Sequence, residues 1–216
     1  MTCELRACCR RGGGAFLSTP DAPRDTDRSG AELPLVATLH EPPAPQEDIA
    51  FHEAAHAVAY HAYSGTVDSV TIANQPHVCG ASAPPNLPDR IVMLLAGPAA
   101  QAAYHGQRRT LYEHELADYV ARVGDVVFGN CDNCRAVLVA TVHAGKTCGD
   151  RGAIFREAER RANDFVRLPA VRSAIRALAA ALMTQHTIAG ADAHAIIEPF
   201  VKFGELKNAE ENPEVA

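Results

Sequence analysis

His52-Glu53-Ala54-Ala55-His56 constrains this 216-residue chain more than any other stretch. It lies inside a helical pattern running from about Gln46 to Tyr63, opened by Pro45 and Asp48 and closed by Gly65 as a left-handed cap. Four residues turn a helix by about 400°, so His52 and His56 stand one turn apart on one face, where two imidazoles can grip one ion. Glu53 stands about 100° round from His52, placed to take a proton from a water on that ion without itself being a ligand. A shuffled chain of this composition would show the five-residue pattern roughly once in 30. The surroundings argue against chance: Ala57, Val58 and Ala59 make the helix largely apolar, and two histidines with a glutamate buried in it are costly unless paired or metal-bound.

A catalytic zinc takes three protein ligands and leaves its fourth position to water. The extended motif with a third histidine does not apply, because Ala62 stands ten residues after His52 and Ala59 occupies the glycine position. His61 is no substitute: five residues after His56 amount to about 500° of rotation, which points its ring away from the other two. The third ligand must come from elsewhere in the chain.

Composition narrows the alternatives. With 47% hydrophobic and 21% charged residues the chain is ordinary globular material, long enough to bury a core without a disulfide scaffold. Seven cysteines is an odd number, and Cys3, Cys8 and Cys9 fall in a polar, glycine-rich beginning, so reduced thiols are expected. A formal charge of −6 argues against nucleic acid as a partner. No apolar run approaches the roughly 18 to 20 residues of a membrane span, and the start, residues 1–20, holds none of the roughly 7 of a signal-peptide core. A cytoplasmic protein without a membrane partner is expected, its oligomeric state open.

Residues 1–45 read as a flexible N-terminal arm, 46–204 as the domain and 205–216 as a polar C-terminal tail. Within the domain Val67–Ile72 alternates as a strand with one buried face, and the loop Ala81-Ser-Ala-Pro-Pro-Asn-Leu-Pro88 follows. Helical periodicity then runs over about Asp89–His105, Glu113–Val127, Asp132–His143, Asp150–Val166, Val171–His186 and Ala191–Pro199. The expected fold is mainly helical α+β: a helix carrying the motif, a small β-sheet after it, then a helical bundle.

In this order of parts the chain resembles the zinc peptidase domain of FtsH-type ATP-dependent proteases. The resemblance is carried by Ala50-Phe-His-Glu-Ala-Ala-His-Ala-Val58, Ser69-Val-Thr-Ile72, Asp89-Arg-Ile-Val-Met-Leu-Leu-Ala-Gly-Pro-Ala-Ala100, Gly129-Asn-Cys-Asp-Asn-Cys-Arg-Ala136, Ile175-Arg-Ala-Leu-Ala-Ala-Ala-Leu182 and Thr187-Ile188. It spans about Glu47 to Glu198. Departures are Ala55 in place of a glycine and Gln101 in place of a glutamate, and a longer interval after Gly106. In that family an aspartate opening a later helix supplies the third zinc ligand, and the matching residue is Asp132, with Asp118 and Asp125 as competitors and Glu113 or Glu115 next.

What the resemblance implies is a stand-alone, ATP-independent zinc metalloendopeptidase. His52, His56 and Asp132 would hold Zn2+, Glu53 would act as general base, and a peptide or unfolded protein would be the substrate. Strand addition along Val70, Thr71 and Ile72, with Gly80 allowing close approach of a substrate backbone, would supply recognition. The alternative is a non-proteolytic zinc-binding regulatory or interaction module that keeps the peptidase fold. Other patterns are weaker. Cys131-x-x-Cys134 has no second pair to complete a metal site, so two small buried side chains are expected there. Gly145-Lys146-Thr147 resembles the end of a phosphate-binding loop, but its first glycine is replaced by Ala140.

Overall fold

The computed structural model describes residues 45–83, 86–124, 129 and 131–206. The expected arm up to residue 44, the tail from 207 and the competitor Asp125 lie outside them. Among the described residues the order is α1 (Pro45–Ala62), β1 (Thr66–Thr71), β2 (His77–Ser82), α2 (Leu87–Tyr104), α3 (Glu113–Gly124), α4 (Asp132–Thr147), α5 (Arg151–Phe165), α6 (Pro169–Gln185), β3 (Thr187–Ala189) and α7 (Gly190–Ile197). The protein is thus mainly helical with a small three-stranded antiparallel sheet.

α1 opens with Glu47 and Asp48 in its first turn, where the positive end of the helix dipole favours carboxylates. Beyond that turn it is buried nearly all round: Ala50, Ala54, Ala55, Ala57, Val58, Ala59 and Ala62 have no exposed surface. A helix apolar on every side belongs at the centre of a core. α2 and α6 pack directly on α1; α2 also packs on α4 and α5, and α4 on α3. Small side chains along α1 let these neighbours come close, which is what brings residues distant in sequence to its histidine face.

The helices around α1 are tied by buried polar groups that find partners, as burial requires. Asn86 caps α2 by accepting the Asp89 N–H at 2.8 Å. Asp89 itself is buried and meets the Arg161 guanidinium of α5 at 2.9 Å. Also on α5, Glu159 accepts the Leu111 N–H at 2.7 Å and Asn163 the Arg109 N–H at 2.9 Å, fastening the connection between α2 and α3.

The sheet differs from the single early strand read in the sequence. Its order is β2-β1-β3, with β1 in the middle and the third strand arriving after α6. Val70 faces Val78 on one side and Ile188 on the other; Thr71 faces His77 and Thr187. β2 is almost wholly exposed and β3 is three residues long, so neither carries the alternation that marks a half-buried strand. α7 packs on β1 so tightly that a Cβ on Gly190 would lie 1.8 Å from the Val67 carbonyl oxygen.

The cap after α1 also differs. Ser64, not Gly65, takes the left-handed conformation, with φ of 64°. Gly65 and Gly80 instead make room for the Tyr60 ring, which a Cβ on either would strike at 2.7 or 2.5 Å. No helix among the described residues is long and apolar enough to cross a membrane.

Candidate metal centre

α1 delivers His52 and His56 to one face, as their four-residue spacing dictates, and α4 delivers Asp132 as its first helical residue. Their donor atoms converge from 80 residues apart. His52 Nε2 lies 2.9 Å from Asp132 Oδ2 and 3.1 Å from His56 Nε2, and His56 Nε2 lies 3.4 Å from Asp132 Oδ2. Tetrahedral ligands at zinc bond lengths of 2.0–2.1 Å stand about 3.3 Å from one another, so the triangle has the dimensions of one face of such a site. This His/Cys/Asp/Glu group is the cluster able to hold a metal ion among the described residues.

A surrounding set of contacts fixes the rings. His56 Nδ1–H donates to the Met93 carbonyl at 2.9 Å, which leaves the Nε2 lone pair directed at the cluster. Gln101 lies close enough to the His52 ring to help raise its pKa. Between them on α2 stands Gly97, where a Cβ would lie 2.4 Å from His56 Nε2 and 2.7 Å from His52 Nε2. Met93, Gly97 and Gln101 are spaced by four, so one ridge of α2 abuts the histidine face and its middle position has room for no side chain. Sequence reading placed Gly97 and Gln101 only within a family-like stretch and gave neither this task. Their four-residue spacing was the available signal.

The electrostatics of the cluster favour an added positive charge. Burial alone would lower the His52 pKa, but its hydrogen bond and charge interaction with Asp132, aided by Glu53 and Gln101, raise it to about 9. Burial likewise opposes ionisation of Asp132, yet His56 and His52 hold its carboxyl well below the usual carboxylate range. The N-terminus of α4 acts in the same direction. A cation bound here would take the place of the proton that Asp132 and His52 now hold between them. Two imidazoles and a carboxylate are a donor set suited to zinc.

Glu53 is buried next to the cluster, and desolvation raises its pKa against the opposing pull of His52 and His56. That moves a carboxylate towards the range in which a general base works near neutral pH.

The other candidates separate cleanly. Asp118 is exposed on α3, Glu113 pairs with Arg156 at 2.7 Å, and Glu115 accepts the Tyr112 N–H at 2.8 Å. Cys131 and Cys134 are buried beside Asp132. His61 points elsewhere, its Nδ1 2.6 Å from His194 Nδ1.

The expected substrate strand needs correction. Val70, Thr71 and Ile72 are buried, β1 is paired on both edges, and the Thr71 hydroxyl is engaged with Thr187 at 2.7 Å and the His186 carbonyl at 3.2 Å. A peptide therefore cannot add to β1. Gly80 lies on β2, where its lack of a Cβ makes room for the Tyr60 ring. The strand order, which no single strand reveals, decides this.

If Asp132 completes the cluster, Asp132→Ala should weaken zinc binding by at least the 10-fold seen for losses behind the ligands. Asp118→Ala should bind as the unsubstituted protein does, since exposed helix carboxylates contribute within about 0.5 kcal/mol. Competitive zinc titration of both variants checks this; a loss confined to Asp118→Ala would overturn the assignment.

The sequence matches no known protein-family model and no curated protein. The functional reading consequently rests on the geometry of the chain's own residues.

Proposed function

We propose that this protein is a zinc-dependent metallopeptidase, similar to the peptidase domain of FtsH-type proteases, that hydrolyses bonds in peptides or unfolded polypeptides. The observation that carries the reading is the convergence of His52, His56 and Asp132 from two helices beside the buried Glu53. A zinc ion held by those three would supply Lewis acidity, activating water and polarising a carbonyl. Glu53 accepts the water's proton and returns it to the leaving amine, so one carboxylate serves as base and then as acid. The Met93 carbonyl holds the His56 imidazole in orientation, and Gly97 leaves both rings the space a Cβ would take. Substrate recognition is assigned to the outer edge of β2, which has β1 on one side only. Its His77 end is close enough to Glu53 to affect that residue's charge. Main-chain pairing along this edge would accept many sequences.

The test is cleavage of a permanently unfolded protein, with metal content measured on the same samples. The unsubstituted protein should carry one zinc per chain and cleave; Glu53→Gln should keep the zinc and lose at least about 100-fold in rate. Equal cleavage by both forms would remove Glu53 from the chemistry. Zinc retention with no cleavage by either form would leave a metal-holding module that does not hydrolyse peptides.

A further inference from the structure

A cavity of about 390 Å3 lies between α1, α2 and α6 and shares no residue with the metal cluster or with Met93, Gly97 and Gln101 beside it. Its apolar wall is made by Phe51 and Tyr104, whose ring centroids are 4.4 Å apart, and by buried Ile175. Arg167, Arg172 and Arg176 complete it. Arg172 and Arg176 stand four residues apart on α6 and so share a face, an arrangement of like charges that weakens a helix. Arg172 is also only the fourth residue of α6, near the end where the dipole disfavours cations.

Among the described residues neither the Arg172 nor the Arg176 side chain has a hydrogen-bond or ion-pair partner. Arg167 is held in place by neutral acceptors, the Asn163 carbonyl at 3.1 Å and the Gln107 carbonyl at 2.7 Å. The contrast with α5 is plain, for Arg156, Arg160 and Arg161 there each meet a carboxylate. Two acids lie near the aromatic wall: Glu47 acts on the Tyr104 hydroxyl, raising its pKa, and Asp48 lies 3.0 Å from His105 Nε2. Three guanidiniums that meet no carboxylate among the described residues, in one cavity of a chain whose net charge is −6, form a local positive field that draws anions against the overall repulsion.

We propose that this cavity binds a small amphipathic anion, a carboxylate or phosphate group attached to a flat apolar body. Guanidinium forks match either oxyanion, and the Phe51, Tyr104 and Ile175 wall takes the apolar part. The volume falls in the range of small-molecule sites, towards its lower end.

The experiment titrates the full chain calorimetrically with phenyl phosphate and with phenylacetate, using benzyl alcohol as the uncharged control. At least one anion should bind one to one, more weakly as salt rises, and benzyl alcohol should not bind. Preference between the two anions identifies the head group. The Arg172→Gln/Arg176→Gln double variant should lose at least about 10-fold in affinity, given the strength of charge-assisted hydrogen bonds, with its melting midpoint unchanged. Each single variant, carrying a smaller loss, stands in if the double variant folds poorly. Failure of both anions to bind at millimolar concentration, equal binding of benzyl alcohol, or undiminished binding by the variants would overturn the proposal.

Discussion

Gly97→Ala should abolish stoichiometric zinc binding while altering no ligand. The added methyl would lie 2.4 Å from His56 Nε2 and 2.7 Å from His52 Nε2, distances real Cβ contacts do not reach. Neither ring can simply swing aside: His56 is anchored through Nδ1 to the Met93 carbonyl, and His52 through Nε2 to Asp132. Relief must come from separating α1 and α2 or from breaking those anchors, and either disperses the donor triangle. Losing outer partners alone weakens metal sites by 10- to 100-fold, so a displacement of both imidazoles should exceed about 100-fold. Equilibrium competition against a zinc-binding dye measures it. Unchanged affinity would mean that α2 yields without disturbing the histidines, and the packing argument would fail with it.

The second large effect concerns stability. Gly190→Ala places a Cβ 1.8 Å from the Val67 carbonyl oxygen and 2.7 Å from its carbon, both backbone atoms in the central strand. No rotamer change can relieve that clash. α7 must draw back from β1, loosening Val67, Ala193 and Ile197, all buried there. Overpacking against rigid surroundings costs about 3 kcal/mol or more, which for a chain of this size lowers the melting midpoint by roughly 6 to 12 °C. Thermal unfolding followed by circular dichroism gives the answer, and a shift under 2 °C would show that α7 moves freely.

The two histidines and Glu53 were readable because helix geometry converts sequence spacing directly into spatial neighbourhood. Asp132 was not readable by that route. It meets His52 across 80 residues, and no local rule connects them; only resemblance singled it out from Asp118, which is exposed. The helices were legible from apolar periodicity, their ends to within a few residues. β2 and β3 were not, since His77-Val-Cys-Gly-Ala-Ser82 is exposed along most of its length and Thr187-Ile-Ala189 is too short to show a period. The reading of Val70, Thr71 and Ile72 failed for the same reason. Whether a strand is central or marginal depends on partners supplied elsewhere in the chain, and β1 receives one from each side.

The distance in sequence between α1 and Asp132 has a consequence for when the donor triangle can form. α1 holds two imidazoles and Glu53 as soon as it is helical, yet the oxygen that closes the triangle arrives only when α4 has docked on α2 and α2 on α1. Bringing together the ends of so long a segment carries a loop-closure penalty that only the finished packing repays. The donor triangle is therefore a property of the packed helices and not of α1 alone, and a chain in which α4 has not docked holds two imidazoles without their oxygen partner.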